Sequence, residues 1–376
     1  MKNLLFVLGT RPEVIKLAPV ILEFKKSSEY NVIICNTEQQ KELSNQTLDY
    51  FSLKADISLD CMRKNQTLGG VQSLILEALE KVFKENPVDA TFVQGDTMSV
   101  FCGALVSFYN RVPIVHVEAG LRSYDLKEPF PEEGIRQMVS RISSLHFCPT
   151  ETNKASLLKE NIEEKNIFVV GNTVIDALNC LSKKVVDDSA DFFRCRNIVV
   201  NDRIVLITVH RRENHGGRLD SILKAISDLS SEFSDHTFVI PVHPNPNVKE
   251  KIYLNLNDKK NIMLLPPLEY PQLVFLMKRA KLILTDSGGI QEEAPTFKCP
   301  TLVLRYETER QESVKLGISK LVGADVEKIM SESRAILSKD KSSTRVEVQN
   351  PYGDSFATSR IKSIVDKLLF KGSSIN

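Results

Sequence analysis

The stretch LILTDSGGIQEEAP, residues 282–295, contains the pattern that predicts the fold of this chain. Its first four residues suit a buried strand, and they lead through a glycine-rich turn into a helix. A short apolar run followed by such a turn and a helix is the repeating unit of a parallel α/β sheet. The turn at 287–289 lets backbone N–H groups approach an anion, yet Glu292 and Glu293 follow at once. The stretch therefore predicts a ligand with an anionic group close to a partner for a carboxylate.

Similar apolar runs recur in two series, separated by a polar stretch at 183–201 that has no clear period. Longer amphipathic segments lie between the runs, which indicates βα units and parallel sheets. We therefore expect an α/β fold of two Rossmann-like, doubly wound domains. The predicted strands lie at 4–8, 31–36, 90–93, 114–117, 145–148 and 167–169, and then at 204–208, 237–241, 262–265, 282–285 and 301–305.

Length and composition agree with that expectation. A chain of 376 residues is long for one core, so two domains are expected, joined near residues 171–200. Charged residues make up 26% of the chain and the net charge is +1, so neither nucleic acid nor an acidic surface is an expected partner. No apolar run suits a membrane span or a signal peptide. The seven cysteines are scattered singly, which predicts a reducing cytoplasm and neither a zinc site nor disulfides.

Cations and acids follow the predicted strands of the first half. Arg11 and Lys16 lie at the start of the helix after the first strand, where a helix N-terminus and two cations favour an anion. Neither a dinucleotide fingerprint nor a P-loop is present there, and a structural turn with surface cations is the alternative. Asp96 and Glu118 end two successive strands, and Glu132 opens a helix after a proline-rich loop. Helix capping could account for each acid alone, but three acids at one edge predict a function.

The second half places His210 and Arg211 after its first strand and Arg310 in the loop after its last. An imidazole there could meet a phosphate or a developing charge, although a structural histidine is the alternative. His243 lies in the sequence HPNP, whose prolines favour a turn.

These segments together resemble one known family. GTRPEVIKLAPV, QGDT, HVEAGLRS, PFPEE, GNTVIDAL, HRREN, PVHPNPNV, TDSGGIQEEAP and NPYGD occur in the order typical of the non-hydrolysing UDP-N-acetylglucosamine 2-epimerases, from about residue 3 to residue 365. The resemblance implies a glycosyltransferase-B-like fold with domains 1–170 and 171–355, a nucleotide sugar in the cleft between them, and a C-terminal helix at 356–376 that packs back on the first domain. It also implies a homodimer and a role in surface polysaccharide synthesis.

The family reaction interconverts UDP-N-acetylglucosamine and UDP-N-acetylmannosamine without a cofactor or a metal. UDP leaves as the proton on carbon 2 is removed, and the resulting 2-acetamidoglucal is protonated on its other face while UDP returns. Opposite faces of one carbon require at least two acid/base groups. By motif match, Asp96, Glu118 and Glu132 are the expected acids, and His210 is expected to assist the departing phosphate.

The resemblance also implies binding residues. The expected substrate contacts are Arg11 and Lys16 for the anion, Ser287, Gly288 and Gly289 for the diphosphate, Glu293 for the ribose, Leu268 and Leu273 near the uracil, and Arg310 as a further cation. Glu292 is expected to be structural. Bacterial members have a second, allosteric substrate site, which matches Gln39, Glu42, Asn65, Gln66, Glu132, Arg211 and His243 here. Glu42 replaces a glutamine and Asn65 an arginine of the family pattern.

Four alternatives share parts of these motifs: a 2-epimerase for a modified UDP-N-acetylhexosamine, a glycosyltransferase of the same fold, a hydrolysing epimerase, and a nucleotide-sugar-binding regulator without chemistry. An acceptor would distinguish the glycosyltransferase, and release of free N-acetylmannosamine the hydrolysing epimerase. A regulator would bind UDP-sugars regardless of changes at Asp96 or Glu118.

Overall fold

A computed structural model describes residues 1–63, 66–181, 183–345 and 349–370. The chain forms two compact units. Unit 1 consists of Met1–Cys180 and the chain from Tyr352 onward, and unit 2 is Leu181–Pro351. Each unit contains its own parallel sheet, which confirms the predicted pair of Rossmann-like α/β domains.

The sheet of unit 1 has seven strands among the described residues, in the order β3-β2-β1-β4-β5-β6-β7. All neighbours are parallel. Such a sheet has both faces covered, so its strands are continuous apolar runs; every residue of β4 is buried, for example. The strands are β1 (Lys2–Leu8), β2 (Tyr30–Asn36), β3 (Ile57–Ser58), β4 (Ala90–Gln94), β5 (Ile114–Val117), β6 (Leu145–Cys148) and β7 (Ile167–Val169).

Helices connect these strands. The first begins directly after the turn at Gly9 and Thr10, and Pro12 near its start suits a first helical turn. Phe6 of β1 and Phe92 of β4 stack with ring centroids 4.3 Å apart in the core between sheet and helices. The helices are α1 (Arg11–Lys25), α2 (Lys41–Tyr50), α3 (Leu68–Glu85), α4 (Met98–Tyr109), α5 (Glu132–Ile142), α6 (Glu151–Lys159) and α7 (Thr173–Cys180).

Unit 2 repeats this design with six parallel strands among its described residues, in the order β10-β9-β8-β11-β12-β13. The strands are β8 (Ile204–Thr208), β9 (Thr237–Pro241), β10 (Ile262–Leu265), β11 (Ala280–Thr285), β12 (Thr301–Val303) and β13 (Ser319–Leu321). The helices are α8 (Lys183–Arg194), α9 (Gly217–Glu232), α10 (Pro246–Leu256), α11 (Tyr270–Arg279), α12 (Gly288–Glu293), α13 (Gln311–Lys315), α14 (Val326–Leu337) and α15 (Lys341–Thr344).

The last helix, α16 (Ala357–Phe370), belongs to unit 1 and packs against α1 and α7. Asp176 of α7 accepts hydrogen bonds from the backbone N–H (3.0 Å) and the hydroxyl (2.8 Å) of Thr358 at its start. Tyr30 donates a hydrogen bond to Asp366 near its end. Because α7 packs on α1 and α16, the division between the units falls after Cys180, within the stretch 171–200 where the sequence predicts the two domains to join. The six final residues of the predicted helix 356–376 lie outside the described residues.

Three elements differ from the expectation drawn from sequence. The expectation that the polar stretch at 183–201 has no clear period is wrong, because its first part forms the amphipathic helix α8, which packs against α11. Phe193 of α8 stacks on Phe275 with ring centroids 5.5 Å apart, so two aromatic side chains stabilise this packing. The short edge strands β3 and β13 contain two and three residues, too few for a periodic signal. Among the described residues, no helix has the length and apolar character needed to cross a bilayer.

Candidate functional site

The candidate residues follow the strands at which the strand order of each sheet reverses. In unit 1 this switch point lies between β1 and β4, and in unit 2 it lies between β8 and β11. Open α/β sheets bind ligands outside the carboxyl ends of the strands at such points. These four strands are followed closely by Arg11, Asp96, His210 and Ser287 respectively. Each unit therefore contributes candidate residues at the position that the fold favours.

Glu118 lies directly after β5 and is bound from two sides. Lys16 of α1 forms an ion pair with one carboxylate oxygen, and the side-chain amide of Gln94 donates to the other. The side chains of Lys16 and Glu118 are each only 9% exposed. Glu118 also adopts a left-handed backbone conformation with φ of 63°, which is uncommon outside glycine and concentrates at functional sites. The structure thus brings two predicted residues, one cation and one acid, into direct contact.

Asp96 lies after β4 and is bound by a residue that sequence did not single out. Arg136 of α5 donates to Asp96 Oδ2 from both Nε, at 3.0 Å, and Nη2, at 2.5 Å. The same guanidinium donates to the fully buried Glu133 at 3.1 Å. Asp96 is not the N-cap of α4, since Thr97 occupies that position. Helix capping therefore does not account for Asp96.

The third acid of unit 1, Glu132, is the first residue of α5 and is partly buried. Within the described residues no hydrogen bond joins it to Asp96 or Glu118. It precedes Arg136 by one helical turn, so α5 places both at the same end of the helix. Arg11 opens α1, and its backbone N–H donates to Gln40 at 3.1 Å.

Two further ionisable groups are buried beneath these turns. His116 of β5 lies with Nε2 2.9 Å from the carbonyl oxygen of Gly95, and burial lowers the pKa of His116 to about 4. It is therefore neutral at pH 7 and supports the Gly95 turn. Glu13 of α1 accepts hydrogen bonds of 2.7 Å from the Gly9 N–H and the Thr10 hydroxyl.

In unit 2, His210 is paired with Asp286, the first residue of the DSGG stretch. Its Nδ1 lies 3.1 Å from Asp286 Oδ1. Because a carboxylate accepts hydrogen bonds, Nδ1 carries the hydrogen that faces Asp286. Burial alone would raise the pKa of Asp286, but hydrogen bonds and charge from His210, with the Arg211 N–H, lower it instead. The carboxylate is therefore ionised and fixes the orientation of the imidazole.

The turn at Ser287, Gly288 and Gly289 lies beneath the guanidinium of Arg310. A Cβ atom on Gly288 would come within 2.8 Å of Arg310 Cζ, so only glycine permits this approach. A Cβ on Gly289 would meet nothing within 4 Å. Arg310 donates from Nε to Glu292 at 2.9 Å. A glycine turn next to an arginine suits a phosphate.

A second arginine stabilises this arrangement from the loop after β12. Glu309 lies 3.1 Å from Arg305 and 3.2 Å from Arg310. Burial by itself would raise the pKa of Glu309, but the charges of Arg310 and Arg305 lower it to about 2. Arg305 also pairs with Glu213. The Arg310 guanidinium is thereby placed by two acids, Glu292 and Glu309.

The residues expected near the nucleoside lie around α11 and α12. Glu293 is buried at the end of α12 and accepts a hydrogen bond of 3.0 Å from the Tyr270 hydroxyl. Leu268 is buried just before α11, and Leu273 lies in its first turn, partly exposed. The structure therefore places Glu293 and both leucines in unit 2, with Tyr270 joining the two helices.

The residues that match the family's second substrate site divide between the units. In unit 2, the Arg211 N–H donates to Asp286 at 2.9 Å, and the ring of His243 stacks on His210 with centroids 5.7 Å apart. In unit 1, Gln39 accepts from Ser99 at 2.9 Å, Glu42 is exposed on α2, and Gln66 donates to the Cys61 carbonyl at 3.1 Å. Asn65 lies outside the described residues.

Several contacting residues were not predicted from sequence. They are Glu13, Gln94, Arg136, Tyr270 and Asp286. Gln94 is the last residue of β4, Asp286 directly follows β11, and Arg136 follows Glu132 by one helical turn. The positions of these three residues in the sequence could therefore have indicated a place at the site. Nothing in the sequence links Tyr270 to Glu293.

The arrangement can perform two kinds of chemistry. Carboxylates next to cations can accept and return protons, which suits general acid/base catalysis in unit 1. An oriented imidazole and an arginine over a glycine turn can stabilise a leaving phosphate in unit 2.

The family model described as UDP-N-acetylglucosamine 2-epimerase matches residues 22–366. The chain belongs to this family. Among UDP-N-acetylglucosamine 2-epimerases, it is 41% identical to that of Neisseria meningitidis serogroup A, over 98% of this chain and 99% of the relative. It is 42% identical to the enzyme of Bacillus subtilis, over 97% of this chain and 94% of the relative.

A solved structure from the same family is similar along almost the whole chain. The crystal structure of the Neisseria meningitidis epimerase bound to UDP-GlcNAc superposes with a TM-score of 0.90 at 40% identity, and covers 97% of this chain and 100% of that one.

Proposed function

We propose that the protein interconverts UDP-N-acetylglucosamine and UDP-N-acetylmannosamine. The observation that carries this proposal is the pairing of Glu118 with Lys16 and of Asp96 with Arg136 at the switch point of unit 1, in a chain of this family. Two carboxylates at one edge of the sheet suit a proton transfer on two faces of a carbon, one group acting as the base and the other as the acid.

The reaction proceeds by elimination and re-addition. One carboxylate of unit 1 removes the proton on carbon 2, the electron pair forms the C1–C2 double bond, and the bond from carbon 1 to the UDP oxygen breaks. The products are 2-acetamidoglucal and UDP. A second acid then delivers a proton to the other face of carbon 2 while the UDP oxygen bonds to carbon 1. Asp96, Glu118 and Glu132 are the candidates for these roles.

The leaving group is bound by unit 2. The diphosphate lies on the turn at Ser287, Gly288 and Gly289 with Arg310 close by, which stabilises the charge that develops as UDP departs. His210, oriented by Asp286, donates to or accepts from the phosphate oxygen next to the breaking bond. Glu293 accepts hydrogen bonds from the ribose diol.

Arg11 and Lys16 complete the positive charge around the reacting sugar. Lys16 compensates the charge of Glu118 in the free enzyme. Leu268 and Leu273 lie near the uracil, where backbone groups suit recognition of the base.

Incubation with UDP-N-acetylglucosamine in deuterated water tests this reaction. We expect both epimers to carry deuterium at carbon 2, because the proton exchanges with solvent through the enzyme acid. Epimer formed without label would contradict the elimination. Transfer of the sugar to an acceptor would instead favour a glycosyltransferase, and release of free N-acetylmannosamine a hydrolysing epimerase.

Further properties implied by the family resemblance are proposals of the same kind. They are a homodimer, a cytoplasmic location, the supply of a surface polysaccharide, and a second UDP-N-acetylglucosamine site that includes Arg211 and His243. Light scattering of the purified protein tests the first. Kinetics with UDP-N-acetylmannosamine as sole substrate, with and without added UDP-N-acetylglucosamine, test the last.

A further inference from the structure

Glu13 is a buried acid next to the candidate catalytic edge that the proposed reaction does not use. It lies in the first turn of α1, and the residue is 1% exposed. The Gly9 N–H donates to Oε2 and the Thr10 hydroxyl donates to Oε1, each at 2.7 Å. A third hydrogen bond comes from the side chain of Thr97.

These three donors belong to two different turns. Gly9 and Thr10 form the turn after β1, whereas Thr97 belongs to the turn after β4, next to Asp96. Thr97 is also the N-cap of α4, with its hydroxyl oxygen accepting from the Val100 N–H at 3.4 Å. Since that oxygen already accepts, the hydroxyl hydrogen is available for Glu13. Glu13 therefore joins the two turns that flank the switch point of unit 1.

We propose that Glu13 is a positioning residue of the epimerase: its carboxylate ties the turn after β1, which leads to Arg11 and Lys16, to the turn after β4, which presents Asp96. This inference rests on the proposed function, because Asp96 and Lys16 are its candidate site residues. Glu13 acts through those residues and does not itself contact the sugar. Removal of the carboxylate lets the two turns separate, and a displacement of about 1 Å can cost about a hundredfold in rate.

The ionisation of Glu13 should make the contact between the two turns, and with it turnover, depend on pH. Burial raises the pKa of Glu13 to about 7, although hydrogen bonds from Thr10, Thr97 and Gly9 oppose that rise, and the charge of Asp96 adds to it. The ionised carboxylate accepts three hydrogen bonds, whereas the protonated form needs an acceptor for its own hydrogen and loses one of them. Turnover should therefore fall as the pH drops through about 7.

Other charged groups occur on the elements around Glu13. They are Arg11 and Lys16 on α1, with Lys16 paired to Glu118, Asp96 after β4, paired to Arg136, and Glu38 after β2, paired to Lys41. A variant at Glu13 distinguishes its titration from theirs, because a group other than Glu13 would still titrate in that variant.

The test compares Glu13→Gln with the matched control Glu23→Gln, which lies near the other end of α1 and pairs with Lys26. We measure kcat and KM for UDP-N-acetylglucosamine between pH 5.5 and 9. Wild-type kcat is expected to fall below about pH 7, which gives its pH profile an acid limb. Glu13→Gln is expected to be at least about tenfold slower at pH 8 and to lack this acid limb. KM should change less than kcat. An unchanged limb, or a kcat within twofold of wild type at all pH values, would overturn the proposal.

Variants at Thr10 keep the test decisive if Glu13→Gln does not fold. Thr10→Val removes one donor to the carboxylate, which raises the pKa of Glu13 further, so the acid limb should move to higher pH. Thr10 makes no side-chain bond that caps α1, so the helix keeps its start. Thr10→Ser keeps the hydroxyl and should leave the limb in place. An unmoved limb in Thr10→Val would contradict the role of Glu13.

Failure of this inference can be told apart from failure of the proposed function. If wild type does not epimerise UDP-N-acetylglucosamine at any pH, the proposed function fails. The titration of Glu13 is then still measured by denaturant unfolding of wild type and Glu13→Gln. The pKa of Glu13 is about 7 in the folded protein and 4.5 in the unfolded chain, so the folded state binds the proton more tightly. The free energy of unfolding of wild type should therefore decline relative to that of the variant as the pH rises from 4.5 to about 7. Parallel curves would show that Glu13 does not titrate there.

Discussion

The switch points of the two sheets occupy equivalent places in the fold but differ in what surrounds their acids. In unit 1, Glu118 and Asp96 are paired with the cationic side chains of Lys16 and Arg136. In unit 2, the fully buried Asp286 is surrounded by backbone N–H groups, an amide and an imidazole.

This difference assigns different chemistry to the two turns. An acid that is paired with a flexible cation can exchange that partner for a substrate, whereas an acid fixed by four donors can only orient them. Unit 1 is therefore suited to moving protons, and unit 2 to holding a leaving group. The strand order sets where the site lies, while the residues after each strand set what it does.

The largest effect should come from Glu118. We expect Glu118→Gln to lower kcat about 10³-fold, in line with loss of a general acid or base, while the Kd for UDP stays within about threefold. Kinetics and UDP titration by calorimetry measure both quantities. Glu151→Gln, at the start of α6, is the matched control in unit 1. Equal losses of turnover and UDP affinity would remove the distinction between the two switch points.

The next effect concerns the orientation of His210. Asp286→Asn should reduce kcat about 10²-fold or more, because an amide cannot accept from Nδ1 and the backbone donors together. If Asp286 acts through the imidazole, Asp286→Asn added to His210→Ala should cost little beyond His210→Ala alone. Additive losses would mean that Asp286 has a separate role. Circular dichroism checks that each variant is folded.

Gly288 and Gly289 form a natural pair for testing the phosphate turn. Gly288→Ala places a methyl group against the Arg310 guanidinium and should weaken UDP binding about tenfold, or about 1.4 kcal/mol. Gly289→Ala meets open space and should change the Kd less than twofold. Calorimetric titration with UDP separates these outcomes. Equal effects would show that the approach of Arg310 does not matter for binding.

The smallest effect should come from Tyr270. Loss of its hydrogen bond to Glu293 in Tyr270→Phe should weaken UDP binding about three- to fivefold, which corresponds to about 0.6–1 kcal/mol. Tyr253→Phe, on the partly exposed face of α10, is the control. If Glu293 contacts the ribose as proposed, 2′-deoxy-UDP should show less difference between wild type and variant. The same loss with both ligands would place the effect in folding, away from the ribose.

Sequence predicts most of the fold because buried parallel strands are short apolar runs and glycine turns follow them. It misses α8, whose helix depends on Phe193 packing against a partner far along the chain. The same reason explains the site residues. Asp96 and Glu118 follow strands and are visible in sequence, but the partners of both acids come from other elements.

The sequence also does not show which acid pairs with a cation and which one orients a neighbouring imidazole. Asp286 and Glu118 both follow a strand, and nothing in the residues themselves distinguishes a carboxylate that faces Lys16 from one that faces backbone N–H groups. Tyr270 shows the same limit, because its partner Glu293 is brought near by the packing of α11 and α12 rather than by spacing along the chain. Long-range contacts, and not local patterns, determine these roles.

The place of α16 in the sequence affects how the protein is made. Its residues are translated only after the whole of Leu181–Pro351, although they cover Asp176 and Tyr30 of unit 1. The nascent first unit therefore leaves the ribosome without its last helix and waits through synthesis of the second. Unit 2 is contiguous and can complete its core first, so the earlier half of the gene encodes the part that matures later.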